Sequence, residues 1–200
     1  IMKIIGITGG VGSGKSRVLS YIEETFPCTI CQADHVAWEL QKPGEIAYRE
    51  IVKHFGEGIL NADGSICRPE LGKIVFADAA ELQALNAIMH PAVKNYIREK
   101  IELERQKGAS LFVLEAALLI EERYDEICDE LWYIYTDEAN RRKRLKDSRG
   151  YTDSKIDSMM ATQLSEEMFR KKCKVVIDNS CDFEYTCVQI QEAIKKLEII

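Results

Sequence analysis

A glycine-rich stretch near the start of the sequence carries residue types that bind a triphosphate. Residues 9–16 read GGVGSGKS and fit the pattern G-x-x-x-x-G-K-[ST]. Glycines let backbone N–H groups turn inward around phosphate oxygens, and a following helix directs its positive end at the same anion. In this pattern Lys15 reaches the β- and γ-phosphates and Ser16 coordinates Mg²⁺. The stretch therefore predicts a phosphate-binding loop, or P-loop, for a nucleoside triphosphate.

A dinucleotide is the alternative ligand for the same stretch. Gly10-x-Gly12-x-Gly14 resembles a dinucleotide fingerprint, and Asp34 lies where an NAD-binding acid belongs. That fingerprint needs glycine at position 15, where this chain has lysine, so a triphosphate is favoured. The residues predicted to bind the nucleotide are Gly10, Val11, Gly12, Ser13, Gly14, Lys15, Ser16 and Arg17.

Asp34 is the candidate acid on the acceptor side of the reaction. It follows a strand-like run, residues 28–33. Parallel strands end at one edge of a sheet, so we expect Asp34 to face the loop there. A kinase for a small alcohol needs a carboxylate at that point to orient and deprotonate the attacking hydroxyl. The N-cap of a helix that begins near His35 explains the residue equally well.

A basic cluster lies in the second half of the chain. Residues 141–149 hold six lysines and arginines. Arg141, Arg144 and Arg149 would neutralise charge on a transferring phosphoryl group, as arginine clamps do. A solvated helix face is the alternative for any single basic residue. For the cluster as a whole we favour a lid.

Short apolar runs alternate with segments of helical periodicity. Such strands, separated by helices, indicate a parallel sheet that is buried on both faces. We therefore predict a three-layer α/β/α fold with a five-stranded parallel sheet. The predicted strands are residues 3–8, 28–33, 111–114, 131–135 and 175–177.

Two connections between these strands are too long for simple crossovers. We predict a nucleotide-binding core formed by residues 1–34, 109–136 and 175–200. A mostly helical substrate domain should occupy residues 35–108, and a lid should occupy residues 137–174. Both insertions are expected near the ligand end of the sheet.

Composition narrows the class of protein. The net charge of −6 argues against general nucleic-acid binding, and no apolar run approaches the roughly 20 residues that span a bilayer. Seven cysteines, an odd number, and the lack of a signal-peptide pattern favour reduced thiols and a cytoplasmic protein. Cys28 and Cys31 fit C-x-x-C but lie in a strand-like run, so we expect buried, inert thiols. A monomer is the default assembly.

Among P-loop proteins, a small-molecule kinase is favoured. The sequence lacks the N-K-x-D element that reads guanine in GTPases. A motor or transporter ATPase usually needs more chain than 200 residues. The position of Asp34 adds a base for a hydroxyl acceptor.

Taken in order, several stretches resemble the dephospho-coenzyme A (dephospho-CoA) kinase family over essentially the full chain. The P-loop alone is shared by a superfamily, whereas the ordered combination is much more specific. The matching stretches are residues 7–16, 33–34, 63–72, 86–91, 118–121, Gln163 and residues 176–179.

This resemblance implies transfer of the ATP γ-phosphoryl group to the ribose 3′-hydroxyl of dephospho-CoA, with Mg²⁺ as cofactor. It implies a P-loop core, a helical substrate domain after the second strand and a lid after the fourth. The implied catalytic residues are Asp34, Lys15, Arg144 and Arg149. The implied binding residues are Arg68, His90 and Glu121 for the substrate, Asp178 and Asn179 for ATP, and Ser16 and Glu115 for the metal.

Several of these residues have structural alternatives. Arg68 would form an ion pair, and His90 would cap a helix. Residues 178–179 would form a turn, which Asx residues favour. Trp38, close to Asp34, is expected to pack in the core rather than line a substrate pocket.

The chain also departs from the family pattern. Gln32 stands where the first acid of Asp-Ala-Asp is expected, so Asp34 acts without that neighbour. Arg17 replaces a threonine, and the spacing from Arg144 to Arg149 is one residue longer than expected. Another P-loop kinase, for a nucleoside, nucleotide or sugar, and a non-catalytic ATP-binding module are the alternative functions.

Overall fold

A five-stranded sheet organises the protein, whose computed structural model describes residues 1–197. The strand order is β2-β3-β1-β4-β5, and the pairs β1–β3, β1–β4 and β4–β5 are parallel. The predicted α/β fold is confirmed. The strands are β1 (Lys3–Thr8), β2 (Thr29–Gln32), β3 (Leu111–Glu115), β4 (Glu130–Tyr135) and β5 (Val175–Asp178).

Nine α-helices connect and flank these strands within residues 1–197. Two single 3₁₀ turns, Glu57–Ile59 and Tyr124–Glu126, interrupt the connections. The helices are α1 (Lys15–Thr25), α2 (Ala33–Glu39), α3 (Ile46–Phe55), α4 (Arg68–Ala77), α5 (Ala79–Gln106), α6 (Glu138–Arg149), α7 (Asp153–Ala161), α8 (Glu166–Lys172) and α9 (Phe183–Lys195).

The core on one face of the sheet follows from the alternation of side chains along the strands. Ile5 and Ile7 of β1 point to the same face, since successive strand residues alternate. Helices α1 and α9 cover them with Ile22 and Ile190, which are fully buried. Gly6 lies on the opposite face, where a Cβ would come within 2.8 Å of Leu131. The central strand therefore needs glycine there.

Strand register brings the ends of several strands to one edge of the sheet. Ile7 lies opposite Glu115, and Thr8 lies opposite Tyr133. The chain leaves β1 directly after this point, so the glycine-rich loop and Glu115 share one sheet edge. Asp178 at the end of β5 pairs with the end of β4 at the same edge.

The chain divides into two compact units. The sheet unit comprises residues 1–31 and the chain from residue 103 onward. The helical unit comprises residues 32–102. In the helical unit, the hydroxyl of Tyr48 donates to the Gly64 carbonyl at 2.6 Å, which fastens the turn after the 3₁₀ element to α3. Helices α6 to α8, which span most of the predicted lid, belong to the sheet unit.

The predicted burial of the C-x-x-C thiols is confirmed for Cys31 but only in part for Cys28, which is half-buried just before β2. Cys31 on β2 is buried, and burial raises the pKa of the Cys28 thiol to about 11, with a smaller contribution from Glu23. Thiols with raised pKa values are poor nucleophiles near neutral pH. Within residues 1–197, none of the seven cysteines forms a disulfide.

Within residues 1–197, no helix is both long enough and apolar enough to cross a bilayer.

Candidate active site

The loop between β1 and α1 adopts a backbone that glycine allows. Gly12 and Gly14 have φ angles of 78° and 84°, in the left-handed region that side chains disfavour. Gly14 is the N-cap residue of α1. A Cβ on Gly14 would also collide with the side-chain amide of Asn179. Both the dihedral angle and the close approach therefore require glycine at this position.

Polar groups of this loop fit a bound phosphate. The backbone N–H groups of Gly12 and Gly14 have no hydrogen-bond acceptor within residues 1–197. The hydroxyls of Thr8 and Ser13 are buried and also lack a partner there. Buried polar groups are normally satisfied, so such a cluster indicates a site for a polar ligand. The residues present therefore fit a nucleotide phosphate.

Lys15 lies across the start of the loop. Its ammonium donates a hydrogen bond to the Gly9 carbonyl at 2.7 Å. Ser16 follows on the exposed first turn of α1, where helix N–H groups and the helix dipole favour an anion. The order of lysine, hydroxyl and helix start matches the arrangement that the sequence pattern predicted.

The Ser13 carbonyl is held from outside the loop by three side chains. Thr136 Oγ1 donates to it at 2.9 Å, and Asn179 Nδ2 donates at 2.8 Å. Arg144 Nη1 adds a longer bond of 3.4 Å. In a trans peptide the C=O and N–H groups point in opposite directions. Fixing the Ser13 carbonyl therefore also fixes the direction of the Gly14 N–H group.

Asn179 is itself held in place. Its side-chain oxygen accepts from Thr186 Oγ1 at 3.0 Å, and its backbone N–H donates to Tyr135 at 2.7 Å. Arg144 Nη2 donates to the Asn179 carbonyl at 2.8 Å. Asn179 is only 3% exposed. Its amide therefore braces the P-loop, a role that sequence reasoning missed because nothing near residue 179 points to Ser13.

A second brace holds the peptide groups of Val11. Arg141 Nε donates to the Val11 carbonyl at 2.8 Å, and the Val11 N–H donates to Gln163 Oε1 at 3.1 Å. Arg141 Nη2 also donates to Gln163 Oε1, at 3.0 Å. Burial lowers the pKa of the Arg141 guanidinium. Only the family resemblance had drawn attention to Gln163, and it suggested no role.

Two predicted arginines lie away from the loop carbonyls. Arg149 is exposed at the end of α6, with its guanidinium 5.8 Å from the ring of Tyr151. Arg17 stacks on Phe183 with the guanidinium 3.9 Å from the ring centroid. Its contact in this structure is therefore with an aromatic side chain of α9.

Three predicted acids occupy different surroundings in the sheet unit. Glu115 is 7% exposed at the end of β3, next to β1 in the sheet. Asp178 accepts a hydrogen bond from the Ser180 N–H at 2.9 Å, so the expected Asx turn is present there. Glu121 is exposed in the turn segment after β3. Only Glu115 combines burial with a position at the edge that carries the loop.

Asp34 lies on a helix rather than at the end of a strand. Strand β2 ends at Gln32, and α2 begins at Ala33, so Asp34 is an exposed residue of the first helical turn. The predicted strand through residue 33 is therefore too long. Gln32 is the N-cap residue of α2, which contradicts the alternative hypothesis that Asp34 caps this helix. A carboxylate in the first turn is favoured by the helix dipole.

Three structural alternatives for the helical unit are also wrong. His90 lies inside α5, directly before Pro91, so it does not cap a helix. Trp38 is 45% exposed and is not a core residue. Its ring lies 5.6 Å from the guanidinium of Arg68, the first residue of α4. Within residues 1–197 Arg68 has no carboxylate partner, so it forms no ion pair there.

The fold and the loop define a class of protein, the P-loop nucleotide-binding proteins. A crystal structure of TT1252 from Thermus thermophilus matches with a TM-score of 0.81 at 28% identity, covering 98% of this chain and 97% of that one. Dephospho-CoA kinase from Campylobacter jejuni matches with a TM-score of 0.74 at 21% identity, over 99% and 100% of the two chains. At that identity the second likeness shows the fold alone.

The sequence comparisons are more specific. The profile of the dephospho-CoA kinase family matches residues 3–184. Dephospho-CoA kinase of Carboxydothermus hydrogenoformans is 38% identical over 196 residues, which cover 98% of this chain and 95% of the relative. That of Geobacter sulfurreducens is 40% identical over 179 residues, or 90% of each chain. The chain belongs to the dephospho-CoA kinase family and is an ATP-dependent kinase, as the resemblance predicted.

Proposed function

We propose that this kinase transfers the γ-phosphoryl group of ATP to the ribose 3′-hydroxyl of dephospho-CoA, with Asp34 as the residue that orients the hydroxyl. The observation that carries the donor half is the doubly braced P-loop. Its Gly12 and Gly14 N–H groups lack protein acceptors within residues 1–197, and side chains hold the neighbouring carbonyls. Family membership supports the acceptor half.

The groups that would bind ATP, the P-loop N–H groups and Lys15, would promote transfer mainly through their positions and charges. Phosphoryl transfer passes through a loose transition state with charge spread over the equatorial oxygens. N–H groups that already point at those oxygens need no reorganisation during the reaction. Lys15 would release the Gly9 carbonyl, to which it donates at 2.7 Å, and pair with the β- and γ-phosphates.

Ser16 and Glu115 are the residues that would hold Mg²⁺. The Ser16 hydroxyl is exposed at the start of α1, and the Glu115 carboxylate lies at the same sheet edge, suited to contact through water. Mg²⁺ prefers hard oxygen ligands and keeps several waters, which agrees with so few protein groups. The bound ion would neutralise charge on the β- and γ-phosphates.

On the acceptor side, the Asp34 carboxylate would accept a hydrogen bond from the 3′-hydroxyl. Because bond formation to the nucleophile is late, orientation is its main task and proton acceptance follows. The exposed position on α2 leaves the carboxylate accessible to a substrate. Arg68, His90 and Glu121 remain proposed contacts to dephospho-CoA.

The lid arginines divide into two proposed roles. Arg144 donates hydrogen bonds to the Ser13 and Asn179 carbonyls, so it would support catalysis by positioning the loop. It would contact ATP directly only if it exchanged these bonds for bonds to phosphate oxygens. Arg149 is exposed and would meet the transferring group directly.

Asp178 and Asn179 would flank the adenine of ATP through the turn that they begin. A cytoplasmic location and a monomeric state stay predictions.

A substrate panel tests the proposal. Purified protein with ATP and Mg²⁺ is offered dephospho-CoA and a set of nucleosides, nucleotides and sugars, and phosphorylated products are identified by mass spectrometry. We expect a 3′-phosphorylated product from dephospho-CoA far above any other. Transfer to another acceptor would favour a different P-loop kinase. ATP binding without transfer to any acceptor would favour a regulatory module.

A further inference from the structure

An exposed tryptophan in the helical unit has surroundings suited to a ligand. Trp38 on α2 is 45% exposed, whereas Trp132, the other tryptophan of the chain, is fully buried. Tryptophan is highly buried on average in folded proteins. Large exposed aromatic rings contribute strongly to binding when they desolvate. The difference between the two tryptophans marks Trp38 as a candidate contact surface.

Two cationic side chains lie over the Trp38 ring. Lys42 Nζ lies 4.6 Å from the ring centroid, and the Arg68 guanidinium lies 5.6 Å away. The ring of His35 lies at 6.0 Å with an interplanar angle of 25°. We call these four residues the Trp38 platform. Its composition, an aromatic face beside positive groups, suits a heteroaromatic base that carries phosphates.

One neighbouring acid, Glu39, determines whether Lys42 or Arg68 is available to bind an anion. Lys42 is paired with Glu39 at 2.7 Å, and His35 lies 3.8 Å from the same carboxylate. Arg68 has no carboxylate partner within residues 1–197. A guanidinium binds phosphate oxygens in a bidentate manner. Arg68 is therefore the platform residue best placed to pair with a diphosphate.

The position of Trp38 along α2 relates the platform to the proposed base. Asp34 and Trp38 are separated by four residues on one helix. Residues at i and i+4 lie on the same face, with Cβ atoms about 5–6 Å apart. In a nucleotide the 3′-hydroxyl and the base are attached to one ribose, on carbons separated by a single ring atom. A carboxylate and an aromatic ring one turn apart match that spacing.

We propose that Trp38 stacks on the adenine of the acceptor dephospho-CoA, while Arg68 pairs with its diphosphate and Asp34 meets its 3′-hydroxyl. This inference rests on the proposed function, because it requires the acceptor to be a nucleotide that is phosphorylated on its ribose. The platform would thus select an acceptor by its own base and not only by its hydroxyl. Acceptors without adenine would lose this contact.

Tryptophan fluorescence gives a binding test that does not depend on turnover. In Trp132→Phe the remaining emission comes from Trp38, and in Trp38→Phe it comes from buried Trp132. Titration of Trp132→Phe with dephospho-CoA should change the emission strongly. Titration with 4′-phosphopantetheine, which lacks adenosine, should not. Equal responses to both compounds, or a response in Trp38→Phe alone, would overturn the stacking.

Steady-state kinetics provide a second test of the stacking proposal. Trp38→Ala should raise the KM for dephospho-CoA roughly 5- to 100-fold, as loss of a base–aromatic stack does, with the KM for ATP unchanged. Trp38→Phe keeps a ring and should restore most of the affinity. Phe76→Ala, at a residue 85% exposed on α4 in the same unit, is the matched control and should change neither constant.

The two proposals fail in different ways. If wild-type protein forms no 3′-phosphorylated product, the proposed function is wrong. If it forms that product and Trp38→Ala keeps a normal KM for dephospho-CoA, only the platform inference is wrong. Arg68→Ala should also raise this KM, and Arg68→Lys should recover it in part, because lysine keeps the charge without the bidentate geometry.

Discussion

The P-loop and the segment around Asp34 are built in opposite ways. Side chains hold the loop carbonyls of Val11 and Ser13, and one brace residue, Asn179, is 3% exposed. Asp34 stands exposed on the first turn of a short helix. Groups that stabilise transition-state charge must be oriented before the reaction, whereas an acceptor carboxylate acquires its geometry when substrate binds. In the proposed reaction, the braced loop would therefore be oriented before the substrate binds, whereas Asp34 would be oriented by the substrate.

The same contrast has energetic consequences. Buried polar groups need their partners, so removing one brace leaves another group unsatisfied. Thr136 and Thr186, which donate to Ser13 and Asn179, are both buried. An exposed carboxylate can be changed with little effect on folding. Substitutions in the two regions should therefore affect different measured quantities.

The largest expected effect is on the acceptor side. Asp34→Asn keeps the shape of the side chain but removes the charge that we propose orients the acceptor hydroxyl and accepts its proton, so kcat should fall by about 10²–10⁴-fold. The dissociation constant for ATP and the melting temperature should change little. Steady-state kinetics, calorimetric titration and thermal unfolding measure these three quantities.

Glu50→Gln, an exposed acid of α3 in the same unit, is the control for loss of one negative charge. It should retain wild-type turnover. An Asp34→Asn protein that unfolds early but keeps its activity would make Asp34 a structural residue. Glu115 would then be the next candidate for the base.

Lys15→Ala should give the next largest loss, now on the donor side. Removing one fixed positive group from a phosphoryl-transfer site is expected to lower kcat by about 10²–10³-fold. The protein should stay folded, since Lys15 is only partly buried. Lys143→Ala, on the exposed side of α6, is the matched control. Near wild-type turnover for Lys15→Ala would contradict the P-loop assignment.

A buried threonine tests the brace without touching the ligand contacts. Thr136→Val removes the donor to the Ser13 carbonyl at 2.9 Å while keeping the side-chain volume. The loss of one oriented hydrogen bond should raise the KM for ATP roughly 10-fold and leave the KM for dephospho-CoA unchanged. Thr136→Ser keeps the hydroxyl and should restore ATP affinity.

Thr29→Val on β2, which loses a bond to Glu104 instead, is the control for a threonine change in the same unit. If the valine and serine variants of Thr136 behave alike, the hydroxyl does not orient the loop. Hydrogen exchange of the Gly14 amide in the Thr136→Val protein would show the altered peptide directly.

The smallest effect concerns residues 137–174, which we predict to close as a lid. Without ligand, the amides of residues 141–149 should exchange faster than those of the sheet, and a nonhydrolysable ATP analogue should slow them. Hydrogen exchange with mass spectrometry measures both states. The bonds from Arg141 and Arg144 to the loop already restrain α6, so the change should be modest. Equal protection in both states would favour a static helix.

Local patterns predicted the parts of the fold that depend on neighbouring residues. The five apolar runs became strands, with no end displaced by more than one residue, and the glycine loop is followed by α1 as expected. Errors occurred where the signal was weak. The run from residue 28 appeared to reach residue 33, but α2 begins at Ala33 and carries Asp34 away from the strand.

By itself, the sequence determined the phosphate-binding loop, because its conformation depends on glycines and a helix start that are contiguous in the chain. Only the tertiary structure decided what holds that loop. Thr136 and Asn179 reach the Ser13 carbonyl across 123 and 166 residues of chain. Those contacts exist because β1, β4 and β5 end at one edge of the sheet. Strand order and register therefore set the partners, and neither can be read from the spacing of residues along one segment.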